Sequence, residues 1–300
     1  MKAATANADA LTVSLVQNAM GEDADANRRA AVQGIAAAAA QGADLVVLPE
    51  LQSSEYFCKY QDPDLFDLAE PLDGPTRQAL SKAASEHGVV VVGGIFERRA
   101  AGLAHNTAIV LDRDGSLAGI YRKMHIPDDP GYNEKFYFTP GDLGFQPIDT
   151  SIGRLGVLVC WDQWYPEAAR LMALAGAELL VYPTAIGYEP GADDQESRRQ
   201  LEAWRIIQRS HAVANGLPVL SCNRVGTEPD RSGAGRSAEF WGHSFICGPQ
   251  GEVLAEAGEK PEVLVTRVSR SRSESVRRIW PYLRDRRIDA YGDLVKRYRD

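Results

Sequence analysis

Cys160 closes the apolar run Leu155 to Val159, and Pro166 and Glu167 follow shortly after it. Proline suits the first helical position and an acid suits the positive end of the helix dipole. The stretch Ser151 to Glu167 therefore predicts a strand running into a helix, with Cys160 at the turn between them. Such a turn lifts a side chain off the sheet edge and aims the next backbone N–H, that of Trp161, at whatever the sulfur attacks. A free cysteine is also an ordinary small buried hydrophobe, and on this stretch alone both readings stand. Two further residues occupy comparable places. Glu50 follows the apolar run Asp44 to Pro49, at the carboxyl edge where α/β proteins build their sites, and Lys123 follows the short run Gly119 to Arg122. Singly, these read as a solvated loop acid and a rim charge. Beside a thiol they read differently, because a thiol with a pKa near 8.5 is only about 3% thiolate at pH 7 and needs a neighbour to take its proton or hold its anion. A carboxylate does the first. An ammonium about 4 Å from the sulfur does the second, worth roughly 4 kcal/mol at an effective dielectric of 20, which favours the thiolate. With the Trp161 N–H it would also hold the oxyanion, where losing one donor typically costs about 3 kcal/mol.

The elements that must carry these residues alternate between strand and helix. Leu11 to Val16 predicts a strand, Ala24 to Gln41 a helix with Val32, Ile35, Ala36 and Ala39 on one face, and Asp44 to Pro49 a second, buried strand. Strand, helix, strand in that order suggests a parallel crossover. Leu51 to Pro75 predicts a long loop with aromatic content, Pro75 to His87 a helix and Val89 to Gly94 a strand. Ala108 to Asp112 and Gly119 to Arg122 flank Asp114-Gly115, a hairpin signal. Met124 to Phe138 is too rich in proline, acid and aromatics for regular structure. Further strands are predicted at Leu179 to Tyr182, Val219 to Asn223, Ser244 to Cys247, Val253 to Ala255 and Val263 to Val268. A helix is predicted from Glu196 to Ala214, ahead of the stop Asn215-Gly216.

Composition narrows the class. Four widely spaced cysteines, Cys58, Cys160, Cys222 and Cys247, argue against a disulfide framework and a zinc cluster, so a cytoplasmic setting is the expectation. No run approaches the roughly 20 apolar residues of a membrane span, and residues 1–10 read as a disordered lead-in. The net charge of -8 is uneven: residues 267–300 hold 11 basic against 5 acidic residues, leaving -14 on the rest. An acidic body is a poor nucleic-acid binder and a plausible home for a cationic ligand. The tail, whose arginines alternate with Ile279, Trp280, Tyr282, Leu283, Ile288 and Tyr291, reads as a packed arm or subunit contact, with residues 11–266 as one domain.

The contexts Leu-Pro-Glu50, Tyr-Arg-Lys123 and Cys160-Trp-Asp together resemble the three signature motifs of the nitrilase, or carbon–nitrogen hydrolase, superfamily, over Leu11 to about Tyr291. The resemblance implies an α/β fold, a four-layer α-β-β-α sandwich that pairs sheets across subunits, hence a homo-oligomer. It implies no metal and no organic cofactor. It implies Cys160 as nucleophile, Glu50 as base, Lys123 and Trp161 at the oxyanion, and Glu134 as a second active-site glutamate. The segments His125 to Glu134, Trp161 to Glu167 and Tyr182 to Pro190 look like the branch of that superfamily that hydrolyses N-carbamoylputrescine. Relatives acting on carbamoyl amino acids commonly carry an arginine four residues after the cysteine, where this chain has Trp164. A cationic ureido substrate follows as the expectation, with Asp129, Tyr132, Trp164 and Glu189 as its binding residues, because an ammonium leaving water needs an acidic or aromatic partner. A β-ureidopropionase-like carbamoylase, an ω-amidase, a nitrilase and a catalytically silent binding relative are the alternatives.

Overall fold

The computed structural model describes residues 9–188, 191–231, 233 and 237–299. The chain opens with strand β1 (Ala10–Gln17), helix α1 (Ala24–Ala40) and strand β2 (Leu45–Val47). Asp23 caps α1, its Oδ1 accepting from the N–H groups of Asp25 and Ala26 that have no partner within the helix. Helix α2 (Pro75–His87) begins on proline and ends at Gly88, whose φ of +64° is the left-handed stop that a Cβ would oppose. Strands β3 (Val90–Ala100), β4 (Leu103–Leu111) and β5 (Leu117–Arg122) then run as a meander.

After the one-turn helix α3 (Glu134–Tyr137) come β6 (Ile148–Thr150), β7 (Gly153–Val157), α4 (Pro166–Leu174), β8 (Leu179–Pro183), β9 (Gly187–Tyr188) and α5 (Asp194–Asn215). Strands β10 (Val219–Cys222), β11 (Val225–Glu228), β12 (Ala238–Trp241), β13 (Phe245–Cys247), β14 (Val253–Glu256) and β15 (Glu262–Ser269) lead to α6 (Arg270–Ile279). One sheet has the order β15-β1-β2-β3-β4-β5, the second β14-β13-β10-β8-β7-β6, and a small third sheet β11-β12-β9.

Side-chain alternation explains the layering. Leu45 and Val47 of β2, Val90 and Val92 of β3, and Ala108 and Val110 of β4 point into one core, which they share with Leu155, Val157, Leu180 and Leu220 of the second sheet. The intervening Val46, Val91, Ile109 and Leu111 point the other way, onto Ala31, Ile35 and Ala38 of α1 and Leu80, Ala83 and Ala84 of α2. On the far side, Ala168, Ala169 and Met172 of α4 and Trp204 and Ala212 of α5 cover the second sheet. The result is the expected four layers, helix on sheet on sheet on helix, with the two sheets face to face.

Several boundaries differ from the sequence expectation. The β1 ladder with β15 runs the full length of both strands, from Ala10 opposite Ser269 to Gln17 opposite Glu262. Ala10 is therefore strand rather than lead-in, Asp9 accepts from Ser269 and Ser271, and the boundary set at residue 266 falls inside a strand. The long loop Leu51 to Pro75 contains two 3₁₀ turns, Phe57–Lys59 and Pro63–Leu68. The tail begins as a helix, of which Ser273 and Val276 are buried, whereas Ile279, Trp280, Tyr282 and Ile288 are exposed.

Candidate active site

Glu50, Lys123 and Cys160 arrive from both main sheets. Glu50 follows β2 and its N–H reaches the carbonyl of Thr184, just past β8 of the opposite sheet (3.4 Å). Lys123 follows β5, where its N–H donates to the Asn106 carbonyl on β4 (2.9 Å). Cys160 opens a 3₁₀ turn, Cys160–Trp164, after β7. Its φ is +43°, a left-handed conformation that a side chain with a Cβ resists and that costs on the order of 1 kcal/mol or more. Asp162 holds this turn. Its buried carboxylate accepts from the N–H of Val159 (2.9 Å) and the hydroxyl of Tyr121 (2.8 Å) on one oxygen, and from the N–H of His125 (3.1 Å) on the other, which also meets His125 Nδ1 (2.7 Å). The β7 strand itself ends at Val157, two residues earlier than expected, because this tighter turn takes over the backbone.

Lys123 sits between two carboxylates. Its Nζ donates to Glu50 Oε1 (2.8 Å) and to both oxygens of Glu134 (2.9 and 2.7 Å), and all three side chains are fully buried. Asn106 Nδ2 donates to the same Glu50 oxygen (2.7 Å) and the Tyr56 hydroxyl to Glu134 Oε1 (2.7 Å). Glu50 Oε2 has no hydrogen-bond partner among the described residues. Burial alone would discharge Lys123, but Glu134 and Glu50 outweigh it and hold its pKa well above the ordinary lysine value. Glu134 is raised to about 7, by burial first, against the pull of Lys123.

The same charges act on the sulfur, and here one expectation is corrected. A lone lysine would favour the thiolate, but Lys123 is already matched by two carboxylates. Burial and then Glu50 push the Cys160 thiol well above its ordinary pKa, and Lys123 only partly opposes them. The resting sulfur is a neutral thiol pointing toward the Ala185 carbonyl (3.7 Å). Such a thiol must lose its proton as it attacks, and a carboxylate with a free oxygen is the group to receive it.

Cys160 lines a cavity of about 400 Å³ together with Trp161, Trp164, Asp129, Tyr132, Ile186 and Trp241. Three of the four residues expected to meet substrate, Asp129, Tyr132 and Trp164, are thus brought around the sulfur. Tyr132 is fixed there by accepting from the N–H of Gly187 (3.2 Å) and by paired backbone bonds with Asp129. Glu189 lies outside the described residues. Histidine does not compete for the role of base: His125 is tied to Asp162 and His211 Nε2 to the Gln163 carbonyl (2.8 Å). Sequence reasoning missed Tyr56, Asn106, Asp162 and Arg224. Of these, Asp162 alone had a local signal, an acid three residues past Val159, from where its carboxylate reaches back to the Val159 N–H at the start of the turn.

The carbon-nitrogen hydrolase family model matches residues 12–278. The N-carbamoylputrescine amidase of Solanum tuberosum is 45% identical over 289 residues, 95% of each chain. The citrullinase of Francisella tularensis subsp. tularensis is 40% identical, covering 96% of this chain and 99% of that one. Among solved structures, the carbon-nitrogen hydrolase from Helicobacter pylori G27 superposes with a TM-score of 0.95 at 50% identity, covering 97% of this chain and all of that one. With a family model spanning most of its length and relatives this similar over nearly the whole of it, the chain belongs to the carbon–nitrogen hydrolases, enzymes that cleave carbon–nitrogen bonds with water.

Proposed function

We propose that this enzyme hydrolyses N-carbamoylputrescine to putrescine, carbon dioxide and ammonia. The observation that carries the reading is the cavity over Cys160: among its described lining residues the one charged side chain is Asp129, and the walls are tryptophan, tyrosine, isoleucine and proline. An apolar, aromatic passage suits a tetramethylene chain, and a carboxylate suits the ammonium at its end. The names of the similar amidases point the same way.

In this mechanism Glu50 takes the Cys160 proton as the sulfur attacks the carbamoyl carbon, and the Trp161 N–H and Lys123 ammonium hold the developing oxyanion. The tetrahedral adduct collapses as protonated Glu50 returns the proton to the departing amine, leaving a thiocarbamate on Cys160. Water, activated by Glu50 and oriented by Glu134, cleaves it; the freed carbamic acid breaks down to carbon dioxide and the second amine. Tyr132 and Trp164 flank the chain of the substrate, Asp129 meets its ammonium, and Glu189 acts with Asp129.

Ammonia release with N-carbamoylputrescine, citrulline, N-carbamoyl-β-alanine, a simple amide and a nitrile tests the substrate. N-carbamoylputrescine is expected to give the highest kcat/KM, and preference for N-carbamoyl-β-alanine would sink the assignment. Asp129→Asn is expected to raise KM for N-carbamoylputrescine about tenfold, the equivalent of roughly 1.4 kcal/mol, with kcat little changed.

Four free cysteines suit a reducing cytoplasm, and no described helix is long and apolar enough to cross a membrane. The apolar side chains exposed beyond Ile279 support a homo-oligomer in which this arm meets a second copy. Sedimentation of the full chain at micromolar concentration is expected to give at least a dimer; a monomer would rule this out.

A further inference from the structure

We propose that Arg224 and Glu228 form a positioning pair that sets Glu50 and Glu134 on either side of Lys123; the inference rests on the catalytic roles proposed above. Arg224 immediately precedes β11 and Glu228 ends it, with side-chain-free Gly226 between them. Both side chains are buried and joined by Nη1 donating to Glu228 Oε1 (2.7 Å). The remaining bonds of the guanidinium go to backbone. Nη2 donates to the carbonyls of Glu50 (2.6 Å) and Leu51 (3.1 Å), and Nη1 to that of Ser54 (3.2 Å).

That grip matters because the backbone it holds is unfavourable by itself. Leu51 has a φ of +48°, a conformation that non-glycine residues adopt only when their surroundings impose it. A planar guanidinium bound to three carbonyls imposes it in a way that a single ammonium does not. The other end of the pair reaches the second carboxylate. Glu228 Oε2 accepts from the N–H of Tyr56 (2.5 Å), and the Tyr56 hydroxyl is the donor to Glu134. The guanidinium also lies over the rings of Phe240 and Tyr56, 5.2 and 5.9 Å from their centroids, which fixes the Tyr56 ring from the side. One buried ion pair therefore anchors the loop of the general base and the tyrosine that orients its companion, without lining the substrate cavity.

The test compares Glu228→Gln, Arg224→Lys and Glu50→Gln by steady-state kinetics and by the pH dependence of Cys160 alkylation with iodoacetamide, on protein shown to be folded by circular dichroism. Glu228→Gln keeps the volume and one acceptor but leaves the Tyr56 N–H or Arg224 without its carboxylate. It is expected to lower kcat at least tenfold with KM within threefold, and to displace the alkylation profile toward acid pH in the same sense as Glu50→Gln, because the Glu50 charge beside the sulfur helps to hold the thiol protonated. Arg224→Lys, which keeps the charge but loses the fork, is expected to fall between. It carries the same comparison where Glu228→Gln does not fold. Folded variants with the wild-type kcat and alkylation profile overturn the proposal, as does a loss of thermal stability with no displacement of the profile. Should Glu50→Gln itself leave alkylation unchanged, the catalytic roles fail instead.

Discussion

Cys160→Ala is expected to yield a folded protein whose turnover of every carbon–nitrogen substrate falls by about 10⁴-fold or more. The proposed chemistry passes through a bond to sulfur, and removing that atom leaves Glu50, Lys123 and Trp161 with no nucleophile to activate. Stability should change little, since the side chain is small and its sulfur makes one weak hydrogen bond among the described residues, to the Ala185 carbonyl. The left-handed backbone at this position sharpens the test. Cys160→Gly is expected to be equally inactive yet at least as stable as Cys160→Ala, because glycine adopts a φ of +43° without strain and offsets what it gives up in chain entropy. Ammonia release and chemical denaturation measure both. A Cys160→Ala protein that keeps a tenth of normal turnover would refute covalent catalysis at this residue.

Lys123→Met should be the most damaging single change to the rest of the site, for two separable reasons. The ammonium is bonded to two fully buried carboxylates, and removing it leaves them facing each other without a cation, at a cost of about 3–5 kcal/mol. Loss of an oxyanion donor should lower kcat by roughly 10²–10³-fold in whatever fraction folds. The pH dependence identifies the cause. Glu134 already has a folded-state pKa raised from 4.5 to about 7 by burial, with Lys123 restraining the rise. Removing Lys123 raises it further. A carboxyl raised in the folded state binds its proton more tightly there than in the unfolded chain. Its contribution is therefore fully present below about 4.5 and lost as pH rises through the folded value. Lys123→Met should thus unfold at lower denaturant at pH 8 than at pH 5.5, by a wider margin than wild type. Equal sensitivity to pH in the two proteins would mean that the lysine does not offset the paired acids.

The strand-end residues were legible because type and place coincide: an acid, an ammonium and a sulfur each follow a run that reads as a strand. Helix α2 was legible to the residue, since Pro75 and Gly88 mark its ends chemically. Strands β11 and β12 were not, because Val225-Gly-Thr-Glu has no alternation to read and its pairing with Ala238–Trp241 is set by the fold rather than by a local turn. Helix α6 was hidden by composition: five of its ten residues are charged, and Ser273 and Val276 are its buried face. Tyr56, Asn106 and Arg224 share a deeper reason. Each acts on a partner dozens of residues away in the chain, 56 to 174 positions off, so nothing in its own neighbourhood marks it.

Because the base and the ammonium hang from one sheet and the sulfur from the other, the reactive centre is a property of the closed sandwich and of neither half. A nascent or partly unfolded chain, with its sheets formed but undocked, carries a thiol without a proton acceptor and is chemically quiet. Return of catalysis during refolding should accordingly report the last docking event, arriving with the Glu50 to Thr184 bridge rather than with the bulk of secondary structure.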